Sequence, residues 1–199
     1  KASPKPYIWK PPYLLMNKLK WLLLILLATV LSANAQTGNP DKWTDISRIR
    51  FVVPIMDLVR NAFAADSNWE HHPESVRFSN GVIYKKTIPN DLVTKKCLLE
   101  FRAFNSADTT VSVLFFPGFC YRDIRLFRRN GDSVVQLPRI LPPNPDSIGF
   151  REFSLAGHDS AVIIAELTFL KTYINTIRPR LLNNDFEDSF MADLHDSHN

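Results

Sequence analysis

Short runs of β-forming residues follow one another from Asn80 onward, and they constrain the fold more than any other feature. Each run is rich in Val, Ile, Phe, Tyr or Leu and ends at Asn, Gly, Asp, Pro or Ser. Turn residues recur roughly every 8–12 residues, which is typical of a sandwich and not of alternating strands and helices. We therefore predict an all-β fold, an antiparallel β-sandwich. The runs are GVIYKKTI, CLLEFRAFN, TTVSVLFF, CYRDIRLFRR, DSVVQLP, GFREFSL, SAVIIAELTFL and INTIRPRLL.

Two of these runs indicate which residues face the core. In CLLEFRAFN, Leu99, Phe101 and Ala103 alternate with Glu100 and Arg102, so we expect the first three to share one face. SAVIIAELTFL is apolar nearly throughout, which is typical of a strand covered on both faces.

The clearest turn signal lies in RRNGDS. Asn130-Gly131 can adopt positive φ at both central positions of a type I′ turn. We therefore predict a hairpin between residues 120–128 and 133–137. The proline-rich PRILPPNPDSIG that follows is predicted to be an irregular surface segment.

Short helices are predicted at both ends of the β-rich region. ISRIRFVV has the composition of a strand, and IMDLVRNAF then places apolar residues from Ile55 to Phe63 at helical spacing after Pro54. The tail, residues 183–199, is predicted to be an acidic amphipathic connector helix. Its apolar stripe consists of Phe186, Phe190 and Leu194.

A secretory leader precedes the β-rich region. MNKLKWLLLILLATVLSANAQ, which begins at Met16, has a basic start, an apolar stretch and a cleavage site before Gln36. Because the apolar stretch is shorter than the roughly 20 residues that span a bilayer, we favour a cleaved signal peptide over an uncleaved anchor or a buried helix. The predicted organisation is upstream unstructured residues 1–15, signal peptide 16–35, sandwich domain 36–182 and connector helix 183–199.

The charge of the exported part argues against nucleic-acid binding. The whole chain carries +4, but residues 1–35 hold five lysines and no acidic residue, so residues 36–199 carry −1. Phosphate binding needs clustered Lys and Arg, and Arg128-Arg129 is more simply explained as the polar end of a hairpin. We therefore expect no nucleic-acid partner.

The cysteines leave two alternatives open, whereas the histidines favour one. Cys97 and Cys120 are the only cysteines, and in an exported chain they either form a disulfide or are small buried apolar residues. His71-His72 invites a metal interpretation. Neighbours on a strand point in opposite directions, however, and no thiol or carboxylate lies at a recognised spacing, so we predict no metal site.

No catalytic signature occurs in the chain. The motifs GxSxG, HExxH, SxxK and the phosphate loop are absent. His158 and Asp159 in LAGHDS are better explained as a solvated turn, and Glu100 and Glu166 as paired surface charges on strands. We therefore predict that the protein is not an enzyme and uses no cofactor.

The stretch FFPGFCY, residues 115–121, is the best candidate for a ligand surface. Phe115 and Phe116 must point to opposite faces of a strand, and Pro117-Gly118 lets the chain bend. Aromatic rings at such a bend stack on a sugar or an apolar ligand, or they fill the end of the sandwich, which we favour. The candidate ligand-binding residues are Trp69, Tyr84, Phe119 and Tyr121.

The order of these elements resembles a known family over most of residues 49–182. This family is the extracytoplasmic sensory domain of bacterial seven-transmembrane receptors with diverse intracellular signalling modules. The matching elements are Gly81-Val82-Ile83-Tyr84, Phe104-Asn105, Asp123-Ile124-Arg125-Leu126-Phe127 and Gly149-Phe150.

The resemblance implies a jelly-roll-like sandwich, similar to carbohydrate-binding modules, held outside the inner membrane. It implies a small-molecule or sugar ligand and a reading frame that continues past Asn199 into membrane helices. The expected function is therefore ligand sensing in a membrane signalling receptor. The alternative is a free secreted or periplasmic carbohydrate-binding or adhesive module without a transducer.

Overall fold

Strands dominate the described part of the chain, as the spacing of its β-forming runs predicts. The computed structural model describes residues 39–65, 68–80, 90–119, 121–140, 149–170, 177–186 and 190. The strands are β1 (Trp43–Asp45), β2 (Val52–Pro54), β3 (Arg60–Ala64), β4 (Ser79–Asn80), β5 (Lys96–Phe104), β6 (Val111–Phe116), β7 (Tyr121–Asn130), β8 (Ser133–Gln136), β9 (Arg151–Leu155), β10 (Ser160–Phe169) and β11 (Arg180–Asn183). The helix α1 (Asn90–Val93) and 3-10 turns at Ile46–Arg48, Met56–Leu58, Trp69–His71, Pro73–Ser75 and Asn184–Phe186 complete the described elements.

The strands form two sheets. The larger sheet has the order β4-β3-β5-β10-β7-β8, and β1 joins it by parallel pairing with the end of β5. The smaller sheet has the order β2-β11-β6-β9, with antiparallel neighbours throughout. Among the described strands, β4 and β8 therefore lie at the edges of the larger sheet, and β2 and β9 lie at the edges of the smaller one.

One apolar core lies between the two sheets. Leu99, Phe101 and Ala103 of β5 all belong to it, as their alternation predicts. The rings of Phe101 and Phe115 stack across the sheets, with centroids 5.5 Å apart and planes inclined by 9°. Strand β10 is buried on both faces, as its composition predicts. The predicted all-β sandwich is thus confirmed, while its jelly-roll connectivity stays a prediction.

A second apolar layer covers the outer face of the larger sheet. The side chain of Trp69 is 1% exposed, and its ring meets Phe127 edge to face at 5.0 Å. Leu98 and Ile164 belong to the same cluster. The segment around the 3-10 turns of residues 69–75 therefore seals this face from solvent.

The predicted helix over IMDLVRNAF is wrong. A 3-10 turn, Met56–Leu58, is followed by strand β3, which pairs with β5 from Arg60 to Ala64. Ile55 and Val59 are buried in the core, so their spacing has a packing cause, but the backbone bonds to β5 decide the conformation. The strand predicted over ISRIRFVV is likewise shorter, because a 3-10 turn precedes β2.

The predicted hairpin is confirmed, with a shifted turn. Strands β7 and β8 pair up to Asn130 and Ser133, so the two loop residues are Gly131 and Asp132. Gly131 has φ +61°, whereas Asp132 has no positive φ. A single positive φ at the first central position is the type II′ pattern, not the predicted type I′.

Asn105 fastens the loop after β5 to the loop after β9. Its buried Nδ2 donates to the carbonyl oxygens of Thr109, Leu155 and Ala156 at 2.8, 3.0 and 2.9 Å. Its backbone N–H donates to Asp159 O at 2.9 Å. One side chain therefore satisfies carbonyl groups that would otherwise be buried without donors.

The described part of the tail packs on the smaller sheet. Residue 183 ends β11, and a 3-10 turn follows where the connector helix is predicted to begin. The ring of Phe190 meets Phe116 at 5.5 Å and Phe150 at 6.3 Å, and the guanidinium of Arg180 lies 5.3 Å from it.

Several predictions fall outside the described residues. They concern the leader, the GVIYKKTI strand, the core of the proline-rich segment and most of the connector helix with its stripe residue Leu194. Among the described helices, none has the length and apolar character needed to cross a membrane.

Candidate functional site

The predicted aromatic residues lie in separate parts of the structure. Trp69 is in the outer layer of the larger sheet, and Tyr121, 6% exposed, is in the central core beside Phe169. Phe119 is 44% exposed and contacts Phe116 on the smaller sheet. Tyr84 lies outside the described residues. Trp69 and Tyr121 are therefore core residues, not an exposed platform, and Phe119 alone of the described three offers an accessible ring.

Cys97 is a small buried apolar residue, the second of the two alternatives for the cysteines. It is a free thiol, fully buried in the core, and burial raises its pKa. The disulfide alternative is therefore not the one found at Cys97, and Cys120 lies outside the described residues. The thiol acts as a small apolar side chain.

The described histidines, His71, His72 and His158, are exposed. His72 lies 3.6 Å from Glu74, and His158 Nε2 lies 2.8 Å from Asp108 Oδ1 in a turn where His158 has φ +59°. No group of three potential metal ligands occurs among the residues that the structure describes.

A pocket opens where β8 separates from β7. The last residue of β8, Gln136, pairs with Phe127. Pro138 has no N–H to continue the ladder, and the chain then crosses to the smaller sheet, where Ile140 bridges to β9. The edge of β7 over residues 123–125 is thus left without β8 as a neighbour. The cavity beside it has a volume of about 60 Å³.

Arginine is the main polar residue of the pocket lining. Its described wall includes Asp123, Arg125, Gln136, Leu137, Arg139 and Arg151. The guanidinium groups of Arg139 and Arg151 and the carboxylate of Asp123 thus meet at one end of the sandwich. They come from β7, from the crossing segment and from β9.

Arg151 is held in an inward-facing position at the end of the core. It is 5% exposed and lies on the same face of β9 as the core residue Phe153, two residues further along the strand. Its Nε donates to Ile124 O at 2.8 Å and its Nη1 to Phe150 O at 2.6 Å. Its Nη2 reaches Asp123 Oδ1 at 3.4 Å. The guanidinium therefore bridges the two sheets and takes a place that β8 would otherwise fill.

Arg139 approaches the same carboxylate from the crossing segment. Its Nη2 lies 3.2 Å from Asp123 Oδ1, the oxygen that Arg151 also contacts. Burial, followed by the positive charge of Arg139, lowers the pKa of the Arg151 guanidinium. The two cations thus repel each other across the pocket.

The guanidinium of Arg125 is held by the buried carboxylate of Glu166. Its Nε and Nη2 donate to the two oxygens of Glu166 at 3.0 and 2.6 Å. Glu166 is 1% exposed, accepts from Trp69 Nε1 at 2.7 Å and lies 3.5 Å from Lys96 Nζ. The sequence-based assignment of Glu166 to the surface is therefore wrong.

Glu100 repeats this arrangement on β5. It is also buried, and its Oε2 lies 2.8 Å from Arg129 Nη1. Its assignment to the surface is therefore wrong as well, because residues 68–80 cover this face of the sheet.

The arrangement is suited to binding. Guanidinium groups stay protonated and donate several hydrogen bonds in fixed directions, so they hold acceptor groups in place without exchanging protons. Sequence reasoning missed Arg151, although one signal was present. In REFSL, Arg151, Phe153 and Leu155 are spaced two residues apart and so lie on one face of the strand. This spacing places a charged residue at a core-facing position.

Comparisons with family models, with curated proteins and with solved structures gave no match to this chain. The resemblance to the sensory domains of seven-transmembrane receptors therefore stays a prediction.

Proposed function

We propose that this chain is an extracytoplasmic ligand-binding module that acts as the sensory domain of a membrane signalling receptor. Its ligand, a small molecule or a sugar derivative, enters the arginine-lined pocket. The observation that carries the proposal is the convergence of Arg125, Arg139 and Arg151 on one cavity at the edge of the sandwich.

The pocket has the preorganisation that a binding site needs. Arg151 is held by two backbone carbonyls and Arg125 by the carboxylate of Glu166. Donors that are already oriented lose little conformational entropy when a ligand arrives, so more of the interaction energy remains for affinity.

The position of the pocket also suits a sensor. Its wall combines Asp123 of the larger sheet with Arg151 of the smaller one, so a bound ligand contacts both layers at once. A ligand that prefers one spacing of the two layers shifts the population toward that spacing. The extracytoplasmic location and the receptor context rest on the leader before Gln36 and on the family resemblance.

Thermal unfolding of the purified chain tests the binding function. A panel of sugars, sugar acids and amino acids should contain ligands that raise Tm, because a ligand at about 100 times its Kd stabilises by roughly 2.7 kcal/mol. Gln136→Trp, which fills the pocket from an exposed position, should abolish the shift. Val135→Trp, the next residue on β8 and outside the pocket wall, should retain it.

Equal shifts in the two tryptophan variants, or no shift with any compound, would contradict ligand binding at this pocket. The receptor context has its own test in the reading frame that encodes the chain. About seven membrane-spanning stretches of roughly 20 residues downstream support a receptor, whereas a stop codon after Asn199 favours the free secreted module.

A further inference from the structure

Arginine side chains supply most of the side-chain hydrogen-bond donors in the pocket wall, beside the amide of Gln136. Arginine has five N–H donors and no acceptor, so a ligand held by Arg139 and Arg151 must supply acceptors. The planar fork of a guanidinium matches the two oxygens of a carboxylate or a phosphate. A neutral hydroxyl presents a weaker acceptor to the same groups, because hydrogen bonds between charged partners are about twice as strong.

The contacts that these arginines make with Asp123 are long. Arg139 and Arg151 reach its Oδ1 at 3.2 and 3.4 Å, whereas charge-assisted bonds are typically about 2.7–2.9 Å. The two guanidiniums are therefore arranged around one oxygen without closing on it. Asp123 neutralises only one of the two guanidinium groups, so the three side chains keep one net positive charge, and an added oxyanion would reduce the repulsion between the two cations.

The cavity limits the size of the group that enters. Its volume is about 60 Å³, and one water needs roughly 10–15 Å³ on the same scale, so about four to six heavy atoms fit. A carboxylate or a phosphate group has this size, whereas a sugar ring does not. The remainder of a larger ligand would lie outside, beside the exposed side chains of Gln136 and Arg139.

We propose that the pocket binds the oxyanion group of a small ligand, a carboxylate or a phosphate, between Arg139 and Arg151. This inference rests on the proposed ligand-binding function and adds the chemical class of the ligand. Arg151 supplies a fixed donor from the inside, and Arg139 closes over the group from the rim.

Calorimetric titration of the full chain with four probes tests the ligand class. D-galacturonate and D-galactose differ by one carboxylate, while acetate and inorganic phosphate separate the two sources of an oxyanion. We expect at least one anion to bind with a Kd at or below roughly 1 mM and galactose to bind at least tenfold more weakly, since charge-assisted bonds are the stronger ones.

Variants of Arg139 link the binding to the pocket. Arg139 is exposed, so Arg139→Gln leaves the core intact, and it should raise the Kd of the anion about tenfold or more. Arg139→Lys should give a Kd between those of the parent chain and Arg139→Gln, because the positive charge remains but the planar, two-pronged guanidinium group is lost. Arg50→Gln removes the same charge from an exposed site outside the pocket wall and should leave the Kd unchanged.

The outcomes separate the ligand class from the binding function. Galactose binding as tightly as galacturonate, or anion binding unaffected by Arg139→Gln, overturns the oxyanion assignment. So does the absence of heat with all three anions at about 10 mM, a concentration well above the expected Kd. In each case, pocket-dependent stabilisation by a neutral member of the thermal panel would leave the proposed function standing.

Discussion

Replacing Glu166 by alanine should be among the most destabilising changes on the outer face of the larger sheet. The substitution removes the acceptor of Trp69 Nε1, which is buried, and the bidentate partner of Arg125. Loss of one member of a buried ion pair costs about 3–5 kcal/mol, and an orphaned buried donor about 1–3 kcal/mol. Arg125 is one-quarter exposed and regains some hydration, so we expect about 3–5 kcal/mol in total.

A conservative replacement should cost less. Glu166→Gln keeps the shape and one acceptor oxygen for Trp69, so only the charge-assisted part of the network is lost, about 1.5–3 kcal/mol. Trp69→Phe removes the donor but keeps an aromatic ring against Phe127. Trp69→Phe and Glu166→Ala each remove the hydrogen bond between Trp69 Nε1 and Glu166. A double-mutant cycle of these two substitutions should therefore show a coupling energy of about 1–2 kcal/mol.

Urea unfolding followed by circular dichroism provides the measurement, since the midpoint shifts while the slope m stays constant if only stability changes. Glu74→Ala, at an exposed carboxylate beside His72, is the matched control and should stay within about 0.5 kcal/mol of the parent. A cost of less than about 1 kcal/mol for Glu166→Ala, or a coupling energy near zero, would refute the reasoning, because it would mean that water replaces the lost carboxylate.

Two further predictions concern the loops at the opposite end of β10. Hydrogen bonds from Arg128 hold the pKa of Asp159 below its ordinary value. The pair therefore stabilises the fold above the unfolded-state pKa of about 3.9. This contribution disappears as the pH falls through the lower pKa of the folded state. Asp159→Asn should therefore lower stability by about 0.2–1 kcal/mol at pH 7, and thermal melts should converge with those of the parent toward pH 3; a difference independent of pH would contradict the ion-pair origin. Asn105→Ala should cost about 1–3 kcal/mol in urea unfolding, and Asn105→Asp at least as much at pH 7, because a carboxylate would face three carbonyl oxygens; an aspartate variant as stable as the parent would show that the Nδ2 bonds are dispensable.

The strand pattern was predictable because it depends on local alternation. Leu99 and Phe101 face the core as their spacing indicates, and the apolar composition of β10 predicts its burial on both faces. Strand β3 was not predictable in the same way. The spacing of Ile55 and Val59 fits one face of a helix, and only pairing with β5, far along the chain, determines that the following residues are extended.

The candidate site was less predictable than the fold. Its arginines come from three segments whose approach depends on sheet order and on the point where β8 separates from β7. The aromatic candidates were chosen by composition, but large aromatic rings mostly fill cores, and Trp69 and Tyr121 do so here. The inward alternation of Arg151 was the one local signal of a buried charge.

Because β8 is short, part of the edge of β7 beside the pocket could pair with a strand of a second copy of the chain. A strand edge that carries open backbone groups is a template for pairing with a second molecule and for fibre growth. Here the guanidinium of Arg151 occupies Ile124 O, and charged side chains flank the same stretch of β7. The residues that form the cavity therefore also occupy this stretch of strand edge, and removing their charges would leave its backbone groups open to pairing with a second molecule.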